Sequence, residues 1–190
     1  MKHLTSLAAA LMLYAVSAVG AIPNANEPDG GWLGPDHKPL PNESHRKAQN
    51  GFFAWLLVTA DRDWEKKWNT PEETIPHFSE VDSLRKGQEV TVLVIYANPL
   101  VDSNGKIHIT CDIKIERPNH TFSADQSGIE CVNETLRGSP RNVRLTALVI
   151  KFTGDANDPV GKWLFSVTVR DTNRKVTLDL KKAVELTNER

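Results

Sequence analysis

The chain has 190 residues, with 23 Lys+Arg against 24 Asp+Glu and a formal net charge of −1. That balance excludes an extended nucleic-acid grip or a polybasic membrane anchor, both of which need clustered cations. With 39% hydrophobic residues the chain can build a packed core, and its two cysteines are too few for a disulfide-stapled mini-protein.

Residues 1–21 have the pattern of an export signal. Lys2 supplies the positive start, an apolar stretch runs from Leu4 to Gly20, and Val19-Gly20-Ala21 suits a signal peptidase, so cleavage is expected after Ala21. An uncleaved anchor is the rival reading, because about 17 residues is the lower edge of a membrane span. The weakly hydrophobic Ala-rich end and Pro23 favour removal. The rest of the chain is then expected in an oxidising setting, periplasmic or secreted, touching the membrane only through the signal before cleavage. Residues 22–50 carry Pro23, Pro28, Pro35, Pro39 and Pro41 without hydrophobic periodicity, and are expected to be a flexible linker. Trp32-Leu33 is the large apolar pair there, a spacer element or a docking motif.

Residues 51–190 are expected to form one all-β domain. Phe52 to Thr59 is a continuous apolar run of strand length, as in a strand covered on both faces, though as a sheet edge it could pair with a partner strand. Glu89 to Tyr96 is rich in β-branched residues. Ile107, Ile109, Cys111, Ile113 and Ile115 alternate with polar residues, which buries one face and wets the other. Arg117 to His120 then turns the chain into a return strand beginning at Thr121. Val143 to Phe152, Trp163 to Asp171 and Val176 to Leu186 complete about seven strands, separated by Asn-, Asp-, Gly- and Pro-rich turns. That spacing predicts an antiparallel β-sandwich with one short helical insertion. The insertion is Arg62 to Trp68, capped by Asp61 and stopped by Pro71. Trp64 and Trp68 share a face of it, either as a lid closing one end of the sandwich or as an aromatic patch. With Trp55 they form the candidate partner or ligand surface.

Cys111 lies on the inward face of its strand, with Cys131 twenty residues later. A turn centred on Pro118-Asn119 would set about Gln126 opposite Cys111. A disulfide therefore requires Ser127-Gly128 to bend the chain back. A redox or metal-bound thiol lacks its spacing, since there is no Cys-x-x-Cys and His108 points away, so a structural disulfide is expected.

Catalytic spacings are absent: no His-Glu-x-x-His, no Gly-x-Ser-x-Gly and no phosphate loop occurs. Asp102/Asn104 and Asp155/Asn157/Asp158 resemble oxygen-rich calcium loops but lack EF-hand spacing, and turn chemistry explains them. No metal centre and no cofactor are expected. Arg137, Arg141, Arg144, Arg170, Arg174 and Lys175 are interspersed with polar groups, as on a solvated face.

The segment from Asp158 to Asp171, with its Gly161-Lys162-Trp163 entry, resembles the penultimate strand of immunoglobulin-like sandwiches in bacterial exported proteins. Phe53 to Thr59, Trp68-Asn69-Thr70-Pro71, Pro76-His77-Phe78 and the Cys111/Cys131 pair are similar to exported proteobacterial proteins. This resemblance implies fold and compartment and brings no activity. The expected function is that of a non-catalytic exported interaction or accessory module of the cell envelope, bound to another envelope or secreted protein. The alternatives are a carbohydrate-binding module using Trp64 and Trp68, or a hydrolase using Asp61, Asp63 or His77.

Overall fold

The computed structural model describes residues 22–23, 32–33, 38–70 and 77–188. The expected signal at 1–21, its cleavage point after Ala21 and the helix stop at Pro71 lie outside the described residues.

Alternating and doubly apolar runs become strands as their patterns require. In chain order the elements are β1 (Ile22–Pro23), β2 (Trp32–Leu33), β3 (Arg46–Gln49), β4 (Phe52–Thr59), α1 (Trp64–Trp68), β5 (Ser83–Arg85) and β6 (Glu89–Ala97). β7 (Lys106–Glu116), β8 (Phe122–Thr135), β9 (Arg144–Thr153), β10 (Gly161–Asp171) and β11 (Val176–Thr187) follow. They form a five-stranded sheet ordered β5-β11-β10-β7-β8, a four-stranded sheet ordered β3-β4-β6-β9, and a small β1-β2 pair. Pairing within both large sheets is antiparallel except between β11 and β5. The expected all-β sandwich is the architecture observed.

Inward-facing residues of the two sheets make one core. Phe52, Leu56, Val92, Tyr96, Ile109, Ile113, Trp163, Val167, Leu178 and Val184 are among its buried members. Phe152 packs its ring 4.9 Å from Trp163 and 5.2 Å from Phe165, joining the four-stranded sheet to the five-stranded one.

All eight residues of β4 are buried. The strand lies between β3 and β6, so Phe52 to Thr59 is not a sheet edge. Its odd-numbered side chains, Phe53, Trp55 and Leu57, point away from the sandwich into a second cluster with Trp32, Phe78, Leu93 and Ile95. The domain thus has an outer cover in addition to its two sheets.

That cover also corrects the boundary of the expected linker. Trp32 is 1% exposed, its Nε1 donates to the Lys47 carbonyl at 3.2 Å, and Leu40 packs against the same cluster. Arg46–Gln49 pairs with Phe52–Trp55, and the Asn42 side chain brackets Ala48 by accepting from its N–H and donating to its carbonyl. Polar composition hides these residues because β3 buries little of its own, while Trp32 alone supplies a large apolar area.

The cysteines form the expected disulfide, with Cα atoms 5.9 Å apart. The route differs from the expected bend. β8 runs unbroken for 14 residues beside β7, and register shifts between Ile109/Thr110 and Cys111/Ile113 slide Cys131 back toward Cys111. Ile129, and not Gln126, stands opposite Cys111. Gly128 adopts φ +70° within this irregular stretch, and its N–H is held by Asp112 Oδ1 at 2.9 Å.

Candidate functional site

The three candidate tryptophans come together on the outer face of the four-stranded sheet. Trp55 is 7% exposed, while Trp64 and Trp68 are half-buried and pack against the cluster that contains it. Trp32 stands edge-on to Phe53 at 5.7 Å and to Trp55 at 6.2 Å, an arrangement that suits the quadrupoles of the rings. Trp68 stacks on Phe78 at 6.4 Å with planes 29° apart. The indoles therefore roof a sheet face and do not close an end of the sandwich, which corrects the lid reading. Among the described residues the buried indole Nε1 of Trp55 has no hydrogen-bond partner.

The helix is shorter than expected and Asp61 does not cap it. Asp63 occupies the N-cap position with no side-chain cap bond. Asp61 instead accepts from the Ser79 N–H at 2.8 Å and pairs with Lys67 Nζ at 2.8 Å. Burial works against its charge, but those two bonds and the Thr59 hydroxyl hold its carboxyl below the usual value. Thr59 Oγ1 donates to the Ser79 carbonyl and accepts from the Asp61 N–H. These bonds fasten α1 and the Phe78 segment to the end of β4.

The hydrolase candidates are not assembled. Asp61 is committed to Lys67 and Ser79, Asp63 is 60% exposed and 3.8 Å from the same lysine, and His77 is exposed. The two aspartates share the Lys67 ammonium. Among the described residues, no three of His, Cys, Asp or Glu are grouped to hold a metal ion. Asp102 Oδ1 accepts from the N–H groups of Asn104 and Lys106, and Asp158 Oδ2 from that of Asp155, which is turn chemistry.

Sequence reasoning missed two polar features. An open cavity of about 430 Å³ lies between the end of β8 and the start of β9, lined by Glu134, Thr135, Arg137 and Arg144. Arg144 Nη2 donates to the carbonyls of Arg137 and Ser139, while its buried Nε has no partner among the described residues. Nearby, burial and Glu134 push the Tyr96 hydroxyl up to about 12. Several arginines expected on a solvated face are thus built in: Arg144 holds a turn, Arg170 binds Asp112 at 2.5 Å, and Arg174 donates to the Asn50 and Asn98 carbonyls.

The second feature is a charge cluster where β11 meets the segments before β3 and β5. Lys182 occupies an inward position of β11 and reaches Asp82 at 2.6 Å and Glu80 at 3.3 Å. His45 lies 3.7 Å from Glu80 and 3.5 Å from Glu43. Burial, with Lys182 and Arg46, holds the His45 imidazole below its ordinary value against the pull of both glutamates. No contiguous motif signals this cluster, because its members come from segments joined only by folding.

Comparison with known proteins adds little to this geometry. No family model and no curated protein matches the chain. Among solved structures, a family 123 glycoside hydrolase from Clostridium perfringens is similar over 72% of this chain and 28% of its own, with 10% identity and a TM-score of 0.40. A CARDB domain from Pyrococcus furiosus, solved in complex with di-metal ions, is similar over 56% of this chain and 81% of its own, with 14% identity and a TM-score of 0.33. The chain thus spans 28% of the hydrolase's length. No residue role is carried across from either, and the architecture rests on the strand pairing itself.

Proposed function

We propose that the protein is a non-catalytic interaction module exported to the cell envelope, where it binds another envelope or secreted protein. The observation that carries this reading is the half-buried Trp64–Trp68 pair on an otherwise closed aromatic cover. Indoles of this kind present large, rigid contact area at little entropic cost and are enriched at protein interfaces. The Asp61–Lys67 and Asp61–Ser79 bonds hold α1 in place, so the patch is pre-organised. A buried disulfide fits an oxidising compartment. A sugar-stacking platform is less well supported, since Trp55 is buried and Phe78 covers one face of Trp68.

Affinity capture from envelope extracts with the wild type and a Trp64→Ala/Trp68→Ala variant tests this reading. A specific protein retained by the wild type and lost by the still-folded variant is the expected result. Equal capture by both, or turnover of a glycoside or ester that disappears on changing Asp61, Asp63 or His77, would overturn it.

A further inference from the structure

The two flanks of the sandwich differ. On one, the segment before β3 bridges the sheets, with the Lys181 N–H bonded to the Ser44 carbonyl at 2.7 Å and His45, Glu80 and Lys182 filling the seam. On the other, β8 ends the five-stranded sheet and β9 ends the four-stranded sheet, and the two are not paired with each other. Among the described residues no further strand pairs with either, so each presents a largely free row of backbone donors and acceptors.

These two open edges run in opposite directions. Glu134 and Thr135, at the end of β8, line one cavity with Arg144, at the start of β9. At the other end, Phe152 packs on Trp163, and Arg117 sits over Trp163 while donating to the Phe122 carbonyl. The end of β9 is thus beside the start of β8.

The edges also complement one another. β8 carries Asp125, Glu130 and Glu134 and no Lys or Arg, whereas residues 136–153 carry Arg137, Arg141, Arg144 and Lys151 and no Asp or Glu. Among the described residues, three of the five exposed large apolar side chains lie here, Phe122 at 48%, Val143 at 38% and Val149 at 38%. The regular stretches match as well: Ala124–Gln126 keeps an unshifted register with β7, and Val149–Thr153 keeps one with β6. Each of these stretches holds one charge of the complementary pair, Asp125 or Lys151. Both charges lean weakly on neighbours in their own sheets, Lys114 at 3.4 Å and Glu89 at 3.8 Å, and remain exposed.

We propose that this flank is the interface of a two-fold homodimer in which β8 of each copy pairs antiparallel with β9 of the other. A two-fold axis parallel to the strands brings the start of β8 against the end of the second copy's β9 and makes two identical seams, closing both open edges at once. The other two-fold arrangement sets β8 against β8 and β9 against β9. It opposes like charges in both seams, so the charge pattern selects the reciprocal one.

Sedimentation velocity on the oxidised protein should show a dimer that dissociates as salt is raised. Lys151→Glu should weaken it at least tenfold, and Lys151→Glu with Asp125→Lys should recover most of that loss. Because a charge change could perturb folding, the seam is also read by cross-linking. A Ser123→Cys chain is mixed with a Thr153→Cys chain and treated with a short bis-thiol reagent. The expected product is mixed, joining position 123 of one chain to position 153 of the other. A monomer at hundreds of micromolar, a product only between like-substituted chains, or recovery of the flank occupied solely by a foreign protein would each overturn the proposal.

Discussion

Asp171 and Arg174 hold one turn together while each secures a different part of the molecule. The buried Asp171 carboxylate accepts the Leu100 N–H at 2.8 Å and the Arg174 N–H at 3.0 Å. The Arg174 guanidinium donates to the Asn50 carbonyl at 2.9 Å and the Asn98 carbonyl at 3.0 Å. Asn50 and Asn98 both have positive φ, 49° and 55°, so the arginine braces two turns whose backbones are less favourable on their own. Removing one member of a buried, hydrogen-bonded charge arrangement costs about 3–5 kcal/mol. Asp171→Ala should cost about 3 kcal/mol in urea unfolding, and Asp171→Asn, which keeps an acceptor, clearly less.

The disulfide closes a loop of 20 residues and is buried at both ends. In the chain-entropy account such a loop contributes about 3 kcal/mol. Reductant present throughout denaturant unfolding should lower stability by about that amount, and a Cys111→Ala/Cys131→Ala variant should unfold identically with and without it. Insensitivity of the wild type would show that the bridge adds nothing.

Trp32 belongs to the packed outer cover of the domain. Its burial to 1% and its bond to Lys47 predict that Trp32→Ala costs about 3–5 kcal/mol, as for other buried large aromatics. A residue in a true linker would change stability by no more than about 0.5 kcal/mol. Thermal or urea unfolding of this variant decides between them.

His45 gives the molecule a pH dependence near neutrality. Its folded-state value lies below 6.5, so the neutral imidazole is the form that the fold prefers. Its contribution to stability is fully present above pH 6.5 and is lost as pH falls through the lowered folded value. His45→Gln should flatten the stability curve in that window. The acid limb set by Asp61, Asp82 and Asp112, all held below 3.8, should remain. A curve that stays flat as pH falls from 6.5 through the lowered value would contradict the placement of His45.

The strands that bury one face were readable because alternation reports burial directly. β7 follows its expected in–out pattern residue by residue, β10 alternates in the same way, and the doubly apolar β4 is covered on both faces. β3 escaped notice because edge strands bury little, so Arg46–Gln49 carries no apolar period to detect, and the return strand expected from Thr121 runs on through Ser127-Gly128, where a bend was expected. The register of β7 against β8 was out of reach for another reason. Its three irregularities are backbone choices that shift pairing without changing composition. Trp64 and Trp68 could be found as an i,i+4 pair, but their seat on Phe78 and the Trp55 cluster depends on which sheet face needs covering.

The outer cover has a consequence for how the chain fails. Its pieces lie on both sides of β4 in sequence, with Trp32 and Leu40 before and Trp64, Trp68 and Phe78 after. A protease cut just ahead of Arg46 would leave every strand from β3 to β11 present, while stripping Trp32 and Leu40 from the aromatic roof. Phe53 and Trp55 would then meet solvent on a molecule still folded, and a contiguous apolar surface of that kind recruits copies of itself. Trimming would therefore show first as aggregation, before any loss of β-structure.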